Sequence, residues 1–201
     1  MVIKEREWDW YGDLEQRDST EFAVIHHAAW SSCTADEIHR MHIKEKGFFG
    51  IGYHFFISKQ GEIVRGRPFE AIGAHAKGYN DKSIGICLEG NLDTENVTPQ
   101  QSSALIELLR YIQSIYKKIV ILRHKDVNST ECPGKNFDLD ILLKAMQPES
   151  YVAKEEHWAE KHFKYLNDNG IKIHERRFDE PITRGEHFAT LERTHRKLTS
   201  T

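Results

Sequence analysis

Cysteine is scarce in this chain: three in 201 residues, Cys33, Cys87 and Cys132. So few, and odd in number, they exclude a disulfide framework. Basic runs longer than three residues are missing and the formal net charge is only −3. That excludes the basic stripe by which a nucleic-acid-binding surface announces itself. No apolar run approaches the roughly 18 residues that would cross a bilayer. The opening Met1-Val2-Ile3-Lys4-Glu5-Arg6-Glu7-Trp8 lacks the apolar core of a signal peptide. The expectation is a chain made in the cytoplasm without an export signal, which works elsewhere only if something else releases it.

What the chain does have is alternation. Short stretches rich in Ile, Val and Phe at 22–26, 52–58, 62–65, 84–89 and 119–123 read as strands. Ser58-Lys59-Gln60-Gly61 joins the second and third of these as a hairpin. Thr34-Ala35-Asp36-Glu37 has the form of a capping box and Gly47 supplies the stop, which predicts a helix between them. Thr98-Pro99 opens a second helix, with Gln101 expected to reach back to the cap. Its Leu105, Leu108, Leu109, Ile112 and Ile115 recur at helical spacing. A third helix is expected over 138–146. The fold class that follows is α/β, a central mixed sheet flanked by helices. Pro148 marks a boundary, giving residues 1–147 as a first domain and 148–201 as a small helical segment. With little core of its own, that segment is expected to pack on the first domain or on copies of itself, so an oligomer remains open.

Twelve histidines offer many false metal ligands. His39 and His42 share a helix face without a third partner and read as solvated. Five others, His157, His162, His174, His187 and His195, fall in the C-terminal segment without ligand spacing. His124 is different: it ends the apolar stretch Ile119-Val120-Ile121-Leu122 and stands eight residues before Cys132. Phe22-Ala23-Val24-Ile25 runs likewise into His26 and His27, of which strand alternation lets only one face a common site. Two strand-end imidazoles and one loop thiol could hold Zn²⁺ with its fourth position open, the arrangement of a catalytic zinc. Cys87, in an apolar run, reads as a buried inert thiol, and Cys33 as a loop thiol.

Three strings carry a resemblance. They are Gly52-Tyr53-His54-Phe55, then Gly73-Ala74-His75-Ala76-Lys77-Gly78-Tyr79-Asn80, then Ser83-Ile84-Gly85-Ile86-Cys87-Leu88-Glu89-Gly90-Asn91. In that order the chain resembles the zinc amidase and peptidoglycan-recognition-protein superfamily over residues 20–146, and is particularly similar to its phage lysozymes. The resemblance implies the fold of that superfamily and one zinc ion held by His26, His124 and Cys132. It implies Tyr53 as the catalytic tyrosine and Thr130 as an assisting hydroxyl, at a position where some members carry lysine. Cys87 stands where cytoplasmic anhydro-muropeptide amidases place a catalytic glutamate, so that group is missing; Glu89, two residues on, is not a strong substitute. His75 and Lys77 fall on a loop that the resemblance puts beside the cleft, as substrate contacts. The implied reaction is hydrolysis of the amide between N-acetylmuramic acid and L-alanine of peptidoglycan by a zinc-activated water, as a phage endolysin does it. Competing readings are a non-catalytic peptidoglycan-binding module, whose inactive members commonly lack the zinc cysteine, a host autolysin, and an intracellular regulator.

Beyond the boundary, His157-Trp158-Ala159-Glu160, Asn169-Gly170-Ile171 and Ile182-Thr183-Arg184-Gly185-Glu186 resemble an S-layer homology motif. That implies attachment to a secondary cell-wall polymer, with Arg184 as the contact, because a guanidinium pairs well with an anionic saccharide. A helical hairpin that stabilises or dimerises the protein is the alternative.

Overall fold

The computed structural model describes residues 1–147. Six strands, β1 (Ile3–Lys4), β2 (Phe22–His27), β3 (Phe55–Ile57), β4 (Ile63–Arg65), β5 (Ser83–Leu88) and β6 (Val120–Arg123), form one sheet in the order β1-β4-β3-β5-β2-β6. The β3–β4 hairpin is antiparallel and every other pairing is parallel. The expected mixed sheet with flanking helices is therefore what forms. The two-residue β1 is too short to signal itself in the sequence.

β5 and β2 lie in the middle of the sheet and are covered on both faces, which is why they read as near-continuous apolar runs. Alternation along β2 sends Ala23 and Ile25 to one face, where they pack with Leu105, Leu108, Leu109 and Ile112 of α2 (Pro99–Ile115) and Leu142 of α3 (Leu139–Met146). The other face carries Phe56, Val64 and Cys87 beneath Ile38 of α1 (Ala35–Lys46), with Trp8 and Trp10 of the N-terminal segment along its border.

The helix caps follow the sequence closely. Thr34 accepts from the Glu37 amide at 3.3 Å while Glu37 accepts from the Thr34 amide at 2.8 Å, and Gly47 closes α1 in a left-handed conformation at φ 67°. At α2 only half of the expected exchange is present. Thr98 accepts from the Gln101 amide, but the Gln101 side chain turns inward and donates to the carbonyls of Ile57 and Glu89. Once that side chain is buried its two N–H donors need acceptors, and these two carbonyls supply them.

His39 and His42 correct their expected place in solvent: both are buried, at 7% and 5% exposure. Each Nδ1 accepts a backbone amide of the segment before β3, Ile51 on His39 at 3.1 Å and Gly52 on His42 at 2.9 Å. Trp8 stacks on His39, ring centroids 4.6 Å apart. Helical periodicity counts histidine as polar, and the N-terminal segment that covers this face is not visible to it. No helix among the described residues is long and apolar enough to cross a membrane. The expectations for residues 148–201, including Arg184, lie outside the described residues.

Candidate metal centre and active site

Parallel strands end together, so β2 and β6 deliver their last residues to one edge of the sheet. His26, the last residue but one of β2, lies opposite Cys87 of β5, and β6 runs into a short 3-10 turn that begins with His124. The chain then loops back. The Lys125 amide donates to the Cys132 carbonyl at 2.8 Å, and Gly134, at φ 99°, lies so close to the Leu92 backbone that a Cβ would meet it at 2.6 Å. This puts Cys132 against His26, Sγ to Nδ1 3.8 Å.

Among the described residues, His26, His124 and Cys132 are the His, Cys, Asp and Glu side chains placed to share a metal ion, their ligand atoms all within 4.8 Å of one another. The donors fit zinc. Bond lengths of about 2.0 and 2.3 Å at a tetrahedral angle set nitrogen and sulfur roughly 3.5 Å apart, near the 3.8 Å seen between His26 and Cys132. Burial pushes the His26 ring well below the usual histidine range, with the neighbouring His75 and His124 adding to it, and burial lowers His124 as well. Both are thus neutral lone-pair donors. Burial pushes the Cys132 thiol up to about 11, against a hydrogen bond from the His27 backbone. Such a thiol ionises at neutral pH only beside a cation, and a bound metal is the cation that does this outright. His27, as alternation requires, faces away and accepts the Leu92 amide at 3.0 Å.

Tyr53 packs its ring against His26, centroids 5.0 Å apart, and against His42 at 5.3 Å. Burial first, then the neighbouring Cys87 thiol, raises its pKa well above the ordinary tyrosine value. It is a phenol that keeps its proton. Thr130 lies partly buried, with Oγ1 accepting the Cys132 amide at 3.3 Å. Lys77 is exposed, and its carbonyl accepts from Asn128 at 3.1 Å. His75 reaches the same cluster from the loop after β4: its Nδ1 is 3.0 Å from His26 Nε2, and its Nε2 is 3.4 Å from Ser83 Oγ. His124 Nε2 likewise meets Asn128 Oδ1 at 3.1 Å.

Glu89 is occupied elsewhere. Its carboxylate accepts the backbone amides of Lys59 at 2.8 Å and Cys33 at 3.4 Å, which fixes the loop leading to α1. Cys87 is fully buried. Ser83 opens one of the strings that carry the resemblance and Asn128 lies between His124 and Cys132, but nothing in their spacing says which side chains they would meet; only the fold brings them to His75 and His124.

Comparison with known proteins matches residues 16–135 to the family model described as N-acetylmuramoyl-L-alanine amidase. The chain is 38% identical over 139 residues to the endolysin of Enterobacteria phage K11, which covers 65% of this chain and 89% of that one. It is 37% identical over 127 residues to peptidoglycan-recognition protein SC2 of Drosophila melanogaster, covering 58% of this chain and 69% of that one. Among solved structures it is similar to the N-acetylmuramoyl-L-alanine amidase LysC from Clostridium intestinale URNW. There the TM-score is 0.70 at 42% identity, over 73% of this chain and 97% of that one.

Proposed function

Because the chain belongs to the N-acetylmuramoyl-L-alanine amidase family, we propose that it works as an endolysin in which His26, His124 and Cys132 hold one zinc ion beside Tyr53. The chain is an N-acetylmuramoyl-L-alanine amidase, a peptidoglycan hydrolase. The scissile bond is the amide between N-acetylmuramic acid and L-alanine. The observation that carries the metal reading is the gathering of two imidazole nitrogens and one sulfur within 4.8 Å at the end of a parallel sheet. Three protein ligands leave a position open for chemistry, where a closed structural site would use four. Bound zinc supplies Lewis acidity there, activating water and polarising the amide carbonyl.

The chain's own residues do the rest. His26 and His124 remain neutral because burial disfavours their cations, so their lone pairs are free to bind. Tyr53 retains its phenol proton and donates it as a hydrogen bond to the oxygen on which charge develops. Thr130 accepts the Cys132 amide, which fixes the turn carrying the sulfur and leaves its own hydroxyl proton for substrate. Lys77, exposed on the loop whose carbonyl accepts from Asn128, is with His75 the proposed substrate contact, its ammonium suited to a carboxylate of the stem peptide. Residues 148–201, through Arg184, add attachment to an anionic wall polymer.

The test is zinc content per chain together with the release of new L-alanine amino termini from purified cell walls. Cys132→Ser is expected to lose both zinc and release. Tyr53→Phe is expected to keep zinc and slow release by about 10²- to 10³-fold, the usual loss for one oxyanion donor. Wild type that binds zinc yet releases nothing from walls of several peptidoglycan types would make the protein a binding module. Full activity in Cys132→Ser would overturn the ligand set.

A further inference from the structure

We propose that the loop Gly73–Asn80 is a clamp that fixes the tautomer of both metal-binding histidines, with His75 and Asn128 as positioning residues that aim Nδ1 of His26 and Nδ1 of His124 at the ion. The inference rests on the zinc reading above and concerns residues outside the metal-ligand set.

Two hydrogen-bonded chains carry it, and each ends on a backbone carbonyl of this loop. A carbonyl can only accept, so it sets the direction of every bond behind it. In the first chain Ser83 Oγ donates to the Tyr79 carbonyl at 2.6 Å. Its single proton is thereby used, and toward His75 Nε2, 3.4 Å away, it can only accept. His75 then carries its proton on Nε2, and its bare Nδ1 accepts from His26 Nε2 at 3.0 Å. His26 Nδ1 is left with a free lone pair, facing Cys132 Sγ at 3.8 Å. In the second chain Asn128 Nδ2 donates to the Lys77 carbonyl at 3.1 Å. Asn128 therefore presents Oδ1 to His124 Nε2 at 3.1 Å, which places the His124 proton on Nε2 and its lone pair on Nδ1.

The His75 ring hydrogen-bonds a metal-binding imidazole at 3.0 Å, where a second positive charge beside the bound cation is disfavoured, so it is neutral. The loop that anchors both chains is itself fixed. Asn80 Oδ1 accepts the amides of His75 and Ala76 at 2.8 and 2.9 Å, and Ala74 donates to the Gly52 carbonyl at 3.0 Å. Space for the His75 ring is specific: a Cβ on Gly73 or on Gly85 would stand 2.5 Å from its Cδ2. Neither glycine has a positive φ, so the ring's volume, not the backbone, calls for glycine at both places. Groups that orient metal-binding histidines in this way are commonly worth ten- to a hundred-fold in affinity.

The experiment measures zinc affinity of the full chain by chelator competition, and the nitrogen bound, by ¹⁵N NMR of the imidazole rings. In zinc-loaded wild type, His26 and His124 should both be metallated at Nδ1 and protonated at Nε2. His75→Ala and Asn128→Ala should each weaken zinc binding by about 10- to 100-fold. His75→Asn, which keeps an acceptor near the position of Nδ1, should recover most of that loss, whereas a merely space-filling role would not distinguish it from alanine. Metallation at Nε2 of either ring, or a folded alanine variant of either residue that binds zinc as tightly as wild type, would overturn the clamp while leaving the zinc site standing. Wild type that takes up no zinc would overturn both readings.

Discussion

Replacing Gly85 by alanine adds one methyl group where the His75 ring already lies. The new Cβ would stand 2.5 Å from both Cγ and Cδ2 of His75 and 2.8 Å from its Nε2, where ordinary contact begins at 3.4 Å. Something must therefore move by about 0.9 Å, the difference between 3.4 and 2.5 Å. The strand cannot easily give. Gly85 is in the middle of β5, paired with Val24, and both its amide and its carbonyl are bonded to His54, at 3.0 and 2.9 Å. The imidazole must shift instead, and a shift of that size exceeds the slack in its 3.0 Å bond to His26. Overpacking of this kind costs about 1–3 kcal/mol, offset by about 0.5–1 kcal/mol from removing a strand glycine. The expected net loss is about 1–2 kcal/mol in urea unfolding of the metal-free chain, with zinc affinity falling about ten-fold or more. Placed in a His75→Ala background, the same substitution meets no ring and should be neutral or stabilising by up to about 1 kcal/mol. An equal cost for Gly85→Ala in the two backgrounds would refute the reasoning, because the clash with His75 would then not be its source.

Two further outcomes are expected. Burial, with Arg67, Lys46 and His39 contributing, lowers His42 from 6.5 to about 4; a depressed folded value means the unfolded chain binds the extra proton, so stability is whole above pH 6.5 and is lost as pH falls towards 4. His42→Asn, which keeps an acceptor for the Gly52 amide, should therefore lose less stability than wild type between pH 7 and pH 4.5, by about 2–3 kcal/mol in urea unfolding, and parallel acid limbs would show that His42 does not titrate as described. For the C-terminal segment, Arg184→Ala in the full chain should reduce co-sedimentation with purified cell walls several-fold while cleavage of a small soluble muropeptide is unchanged; equal sedimentation would remove Arg184 from the wall-polymer reading.

Much of this protein was legible in the chain because its signals are local. Thr34, Glu37 and Gly47 delimit α1 within a few residues of one another, and the apolar stretches at 22–26 and 119–123 mark the two strands that deliver His26 and His124. His124 and Cys132 are eight residues apart, so their partnership is a property of one turn. What the chain could not announce depends on groups far apart in sequence. His39 and His42 carry no mark that separates them from solvated histidines, since their burial comes from Trp8 and from the segment before Tyr53. Gln101 has the spacing of a capping partner, yet two carbonyls, Ile57 and Glu89, draw its side chain inward.

The candidate metal centre divides in the same way. Sequence alone determined which residue types could bind zinc and, through strand alternation, that only one of His26 and His27 could face the site. Only the tertiary structure decided which ring nitrogen each histidine presents. Tautomers are set by hydrogen bonds, and those bonds reach from His26 to His75, 49 positions away, and from Asn128 to Lys77, 51 positions away. Periodicity and capping describe neighbours along the chain; a lone pair is aimed by neighbours in space.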